Sequence, residues 1–332
     1  MKKSSIALTA VLVAVVLAAC SHSPTSVTPA NGVHNQIIQG GQSSANREAF
    51  LSLSSSAVSQ KKSGWIEKDA TQGHPLMYVA DNNCSCVRIY RQDIGELVGV
   101  ITAGISVPSG IATDSLGNLW VTNNNAQDVT VYSPGSTSPF KTLTGLNSYP
   151  SDIVVADDGT AYVSTFSPTP GVYVYANGAT TPTYALFDTR ASYGLAVTLD
   201  KHGNIYWGFA ENRRDHVDEF VRGIGQPIDT GLVLRADAFM TFDGADHLLV
   251  SNPNLPGIDV YTLPHTWTRT IAHSGTPYGL ALNRFGRLFV GEHFVHEIKV
   301  FDYRSGQLLR TIPTGTFYPT CVALYPRPPL TY

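Results

Sequence analysis

Along most of the chain, short apolar runs alternate with polar turns that carry Gly. Residues 277–291, PYGLALNRFGRLFVG, contain one apolar strand, a turn closed by Gly286 and a second apolar strand; an aromatic-ended strand, IKVF, follows at 298–301. The same pattern begins at Pro108 (PSGIATDSLGNLWVT), Pro150 (PSDIVVADDGTAYVS), Ser192 (SYGLAVTLDKHGNIYWG) and Arg235 (RADAFMTFDGADHLLVS), and a truncated copy, PTCVALY, begins at Pro319. The starts are 42, 42, 43, 42 and 42 residues apart. A fixed period in the forties with several strands per period predicts a propeller or an array.

Each period supplies four strands. The first carries GIAT, DIVV, GLAV, DAFM, GLAL or CVAL, and the second LWVT, AYVS, IYWG, LLVS or LFVG. The third ends in Tyr132, Tyr175, Phe220, Tyr261 or Phe301; the fourth is less regular. Gly117, Gly159, Gly203, Gly244 and Gly286 lie in the first turns, where Gly supplies positive φ at little steric cost. One copy is split. MYVAD (77–81), VRIY (87–90) and ELVGVI (96–101) are strands two to four of a blade without a first strand, and Thr320–Tyr325 is a first strand without a blade. Joining them predicts an all-β, six-bladed β-propeller of four-stranded antiparallel blades, closed by the C-terminal strand completing blade 1 and so without open sheet edges.

The signature Pro-x-Gly-Ile/Leu-Ala, then Gly-Asn-Leu/Ile-Tyr/Trp, then a strand ending in Tyr or Phe, is found at Pro108–Tyr132 and Pro277–Phe301 and more loosely elsewhere. It resembles the NHL-repeat and gluconolactonase-like (regucalcin-type) six-bladed β-propellers, over about residues 65–326. The resemblance speaks to fold; propellers host many unrelated activities.

Composition narrows the class. Of 332 residues, 43% are hydrophobic and 14% charged, which suits many buried strands. The formal net charge is −3, with no basic face of the kind a nucleic-acid binder needs. The N-terminus is a separate element. Lys2 and Lys3 precede an apolar run from Ile6 to Leu17, too short for a comfortable membrane span. Leu17-Ala18-Ala19-Cys20 resembles the lipobox of bacterial lipoproteins, which implies cleavage before Cys20 and its acylation by chains such as palmitate. The domains expected are a signal peptide at 1–19, a lipidated Cys20 with a flexible tether at 20–62, and the propeller at 63–332. Ala49–Val58 is a candidate short helix in the tether. The expected location is the cell envelope, at the outer membrane in a diderm because Ser21 follows the Cys.

In the family resembled, the binding face is made by loops leading into first strands and loops joining second to third strands. Here these hold Asp81-Asn82-Asn83, Asn123-Asn124-Asn125, Ser164–Pro170, Phe209–His216, Asn252-Pro253-Asn254 and Glu292–His296, with Tyr193 and Tyr278 at first-strand entrances. The candidate ligand-binding residues are therefore Asp81, Asn123, Tyr193, Glu211, Asn252, Tyr278, Glu292 and His293. GEHFVH at 291–296 is the most chemical segment, because a Glu with two His serves metal ligation or acid–base work. It lacks a third ligand from another blade, although Glu211 and His216 are available, so no metal and no cofactor is assigned. ENRRDHVDE at 211–219 reads as a solvated loop with internal ion pairs.

Lactonases of the gluconolactonase-like group hold a divalent metal at first-strand mouths. The counterparts Ser109, Ser151, Tyr193, Ala236, Tyr278 and Thr320 include no Asp, Asn or Glu, and Asp152 and Asp237 lie one position later, facing the other side of the strand. Streptogramin-lyase-like propellers use a Glu and His with Mg²⁺, matched in part by 292–296. No G-x-S-x-G elbow or phosphate-binding Gly loop is present. The reading is a monomeric, membrane-anchored, non-catalytic binding or assembly module for a protein, peptide or glycan; the alternative is a metal-dependent hydrolase or lyase. Cys84, Cys86 and Cys321 remain beside Cys20. A bridge from Cys321 to Cys84 or Cys86 would staple the ring closure, with a local Cys84–Cys86 bridge or three reduced thiols as alternatives.

Overall fold

The computed structural model describes residues 64–327, apart from 212–213, 235–238, 253–256, 273–274 and 316–317. Cys20, the signal peptide, the tether to residue 62, the Ala49–Val58 helix, Ala236, Asp237, Pro253 and Asn254 lie outside the described residues.

Six antiparallel sheets form a ring. Blade 1 is Pro319–Tyr325, Leu76–Asp81, Cys86–Arg91 and Leu97–Ile101. Blade 2 is Pro108–Thr113, Leu119–Asn123, Asp128–Tyr132 and Lys141–Leu143. Blade 3 is Pro150–Val155, Ala161–Thr165, Gly171–Tyr175 and Tyr184–Leu186. Blade 4 is Tyr193–Leu199, Ile205–Glu211, Arg214–Phe220 and Ile228–Leu234. Blade 5 is Met240–Phe242, His247–Asn252, Gly257–Thr262 and Thr266–Ala272. Blade 6 is Pro277–Leu282, Arg287–Glu292, Glu297–Asp302 and Leu308–Pro313. A fifth strand, Trp65–Ile66, adds to the outer edge of blade 1 against Gly99 and Val100. Sequence pattern does not mark it, because two residues carry no period.

The core lies between blades. Each neighbouring pair of sheets shares its own apolar cluster, for example Met77, Val79, Phe289, Val300, Val322 and Leu324 between blades 6 and 1. First strands pack neighbour to neighbour around the ring, Pro319–Tyr325 meeting both Pro277–Leu282 and Pro108–Thr113. This contact is close enough to demand glycine. A Cβ on Gly110 would stand 2.5 Å from Asp152 Cα, and one on Gly279 2.4 Å from Cys321 Cα. The first strands line an axial cavity of about 150 Å³.

Local turn chemistry sets the hairpins. The carboxylate or amide at the end of a first strand accepts two turn N–H groups: Asp114 from Leu116 and Asn118, Asp200 from His202 and Asn204, Asp243 from Ala245 and His247, Asn283 from Phe285 and Arg287. Such short polar side chains favour turns for this reason. Gly117, Gly159, Gly203 and Gly286 take positive φ as expected, but in blade 5 the left-handed residue is Asp246, not Gly244. Strand registers explain the shift. Thr113, Val155, Leu199, Phe242 and Leu282 end their first-strand pairings, and Leu324, opposite Met77, holds the equivalent place one residue before the end in blade 1, so the structural steps are 42, 44, 43, 40 and 42. Blade 5 is thus shifted by two residues against the sequence period at Phe242, and Gly194, not Ser192, takes the place of Pro108.

The ring closes as the sequence implies, but not by a disulfide. Cys321 pairs with Ala80 on one side of strand Leu76–Asp81, whereas Cys86 pairs with Asp81 on the other. Two strand spacings, about 9–10 Å, separate them, beyond the Cα reach of a disulfide. Cys84 instead bonds Cys86 across the turn, with Cα atoms 5.3 Å apart. Cys321 remains a buried thiol that donates to Ile111 O at 3.9 Å. Hydrogen bonds hold the closure: Gln92 Nε2 donates to Leu76 O (2.8 Å) and Tyr325 O (3.1 Å), and Thr113 Oγ1 to Leu324 O (2.7 Å). Beyond the strand, Arg327 donates to Val155 O at 2.6 Å and pairs with Asp157 at 3.1 Å, tying the chain end to blade 3.

Asp152 stands in the axial cavity wall as a fully buried carboxyl. Its oxygens accept the N–H of Ile153 (2.9 Å) and of Val197 in the next blade (3.0 Å). Burial outweighs these bonds and pushes its pKa up to about 7. The fold thus favours its protonated form. That contribution is fully present below the ordinary carboxylate pKa and is lost as pH rises through about 7. A shift of this size corresponds to about 4 kcal/mol. In Asp152→Asn, urea titrations from pH 4 to 8 are expected to show a shallower decline in stability than in the wild type; the part that remains is the share of the buried Glu292 and Asp218 carboxyls, also raised to about 7. An unchanged slope would remove Asp152 as its source.

Candidate functional site

Antiparallel order places the loops between second and third strands at the same end as those entering first strands. On this face, blades 5, 6 and 1 bring rings together. Tyr278 lies 6.1 Å from Phe239 and 4.7 Å from His293, measured between ring centroids. His293 also packs against Phe294 (4.8 Å) and Tyr318 (5.2 Å), and Tyr318 meets His296 edge-on at 4.5 Å. His296 takes the left-handed φ of 56°. Phe294 and Val295, 53% and 45% exposed, form the crest of the patch. A second aromatic pair, Phe166 and Tyr193, stacks at 4.8 Å between blades 3 and 4.

The titratable groups sit beneath this aromatic surface. Glu292 is fully buried, 3.7 Å from Lys299 Nζ. Burial drives its pKa up to about 7, with Lys299 opposing. Burial pushes His293 down to about 4, against the Pro319 backbone, so the ring is neutral at neutral pH. Blade 1 repeats the arrangement. Asp81 and Arg88, both 1% exposed, lie 3.6 Å apart. Registers show why: Asp81, Asn123 and Glu292 end second strands, and Arg88, Thr130 and Lys299 are the third residues of the strands that follow. Asn123 donates to Thr130 and Asp128 at 3.0 and 2.8 Å and accepts the Ser106 N–H at 3.0 Å. Asn252 holds the same place in blade 5 and is buried. Strand-end polarity at this position is therefore mostly internal structure.

The candidate residues divide accordingly. Tyr278, Glu292 and His293 come together. Asp81 lies on the next blade, and Asn123 and Asn252 are buried in their own blades. Tyr193 belongs to the Phe166 pair. Glu211 meets His216 at 3.7 Å within blade 4, not the 292–296 loop. Stretch 211–219 is largely strand, not a solvated loop. Asp218 is fully buried, and Arg190 binds it at 2.8 Å together with Asp188 (3.0 Å) and Asp229 (2.9 Å). Phe239, Tyr318, Lys299 and Arg88 escaped sequence reading. Acid at a second-strand end followed by a cation on the third residue of the next strand was the available signal for the last two. Among the described residues, the potential metal donors of Asp81, Cys84 and Cys86 alone gather as a trio, all within 4.8 Å of one another; Glu292, His293 and His296 do not.

Comparison with protein-family models finds no match, and comparison with curated proteins finds none either. Solved structures do match. A chain of the crystal structure of a nidogen/laminin complex is similar over 75% of this chain and 98% of its own, with TM-score 0.64 and 14% identity. Kuenenia stuttgartiensis hydrazine synthase is similar over 74% of this chain and 85% of its own, with TM-score 0.53 and 16% identity. At such identities the likeness is one of fold: an all-β propeller.

Proposed function

We propose that this protein is an exported β-propeller, anchored through lipid on Cys20, that binds a protein, peptide or glycan partner without catalysis. The contact surface is the loop face of blades 5, 6 and 1. One observation carries the reading: Tyr278, His293, Phe294, His296 and Tyr318 make an aromatic patch while the ionisable Glu292 and Lys299 are sealed below it. Aromatic rings supply large contact area at low entropic cost and are enriched at binding surfaces. A catalytic acid or base must reach its proton, and Glu292 has no exposed surface. The nidogen/laminin complex, whose propeller-like chain this one resembles, is itself an assembly of proteins.

Site-specific photo-crosslinking in the producing cell tests the reading. A benzophenone side chain in place of Phe294 is expected to give a discrete adduct, and the same group at Trp267, on the outer edge of blade 5, is expected to give none. Equal adducts from both positions, or none from Phe294, would refute the assignment of the face. A metal-dependent hydrolysis lost in Glu292→Gln/His293→Phe would replace binding with catalysis.

A further inference from the structure

Two sulfurs and a carboxylate meet at the end of a strand in blade 1. Asp81 closes its second strand, Cys86 opens its third, and Cys84 lies in the turn between. Asp81 Oδ1 accepts the N–H groups of Asn83 (3.0 Å) and Cys84 (3.4 Å). The turn is thus tied to the carboxylate independently of the sulfur–sulfur bond. Ser85, at φ 47°, reaches out to accept the Val107 N–H at 3.3 Å, a second anchor that needs no disulfide. Arg88 Nε stands 3.6 Å from Asp81 Oδ2.

We propose that reduction of the Cys84–Cys86 bond converts this turn into a binding site for one thiophilic divalent metal ion of the zinc class, held by Asp81, Cys84 and Cys86. This goes beyond the binding reading and does not rest on it. A dithiol reductant supplies two electrons and two protons; the sulfur–sulfur bond breaks, two thiols form and the reductant becomes a disulfide. Metal binding then displaces both thiol protons to solvent.

Three features favour a metal in the opened turn. Thiolate and carboxylate oxygen suit zinc, with bonds of about 2.3 and 2.0–2.2 Å. Tetrahedral bonds of that length put donors roughly 3.5–4 Å apart; an Asp81 oxygen already lies within 4.8 Å of both sulfurs, which need only separate once the bond between them is broken. Charge also balances. Two thiolates and a carboxylate carry three negative charges, which a divalent ion and the Arg88 guanidinium cancel, so the loaded site buries no net charge. Finally, Cys84 is half-buried rather than sealed, which leaves solvent access for the ion and for a fourth ligand.

The test uses purified full-length protein with Co²⁺ as the probe. After reduction by a phosphine and removal of excess reductant, one Co²⁺ per chain is expected, with a thiolate-to-cobalt charge-transfer band that Zn²⁺ abolishes. The oxidised protein is expected to bind none. Cys84→Ser should lose the band. Asp81→Asn should keep it but weaken affinity at least tenfold, and Cys321→Ser should change nothing, because strand Leu76–Asp81 separates that thiol from the turn. The oxidised–reduced comparison on wild-type protein is independent of any folding defect in the variants. No band in reduced wild type, loss of the fold on reduction by circular dichroism, or a band that survives Cys84→Ser would each overturn the proposal.

Discussion

Deleting Pro319–Tyr332 is expected to unfold the domain, not merely trim it. The deletion removes the first strand of blade 1, whose residues Thr320, Cys321, Val322, Ala323 and Leu324 are all buried. Cys321 and Ala323 belong to the cluster between blades 1 and 2, Val322 and Leu324 to that between blades 6 and 1, so both neighbouring interfaces open. Each large apolar side chain contributes about 1.5–3 kcal/mol by burial. The ladder to Leu76–Asp81, the Gln92 and Thr113 bonds and the Arg327 tie are lost as well. A total loss above about 5 kcal/mol consumes most of the stability of an ordinary domain. It also bares the edge of Leu76–Asp81 for intermolecular pairing. Melting temperature and soluble yield are the readouts. A truncated protein that melts like the full chain would mean that the ring is not closed by its ends.

Arg88→Ala is expected to cost about 3–5 kcal/mol, the range for removing one partner of a buried ion pair. Asp81 would remain buried at 1% exposure without its cation, beside backbone donors of Asn83, Cys84 and Tyr318 that cannot neutralise it. Burial already raises the Asp81 pKa while Arg88 lowers it. Without Arg88 that pKa climbs further. Protonation then relieves part of the damage at low pH, and the deficit grows as pH rises through the carboxyl's new pKa. The double variant Asp81→Leu/Arg88→Met, with two apolar side chains filling the space, should recover most of the loss. Denaturant midpoints of wild type, Arg88→Ala and the double variant, at pH 5 and pH 8, measure both effects. A single-variant cost below about 1 kcal/mol would place the pair among exposed ion pairs.

What the sequence determined by itself is whatever neighbouring residues encode. Alternating apolar positions, turn residues such as Asp114-Ser115-Leu116-Gly117-Asn118 and the split copy were enough for the four-stranded blade, the blade count and closure, though not for the added strand Trp65–Ile66, because period and turn chemistry act within a few residues. The bridge between Cys321 and the Cys84–Cys86 turn failed because proximity in sequence pattern does not report the strand lying between them. The two-residue drift in blade 5 has a related cause: register is decided by cross-strand pairing, here Met240 with Val250 and Leu280 with Val290. Asn and acid residues at second-strand ends looked like ligand groups, yet only the lateral neighbours Arg88, Thr130 and Lys299 reveal that each faces a partner inside its own blade. The aromatic patch gathers Phe239, Tyr278, His293 and Tyr318 from three blades and about eighty residues of chain. No local signal joins them, since their contact exists only once the first strands have packed into a ring.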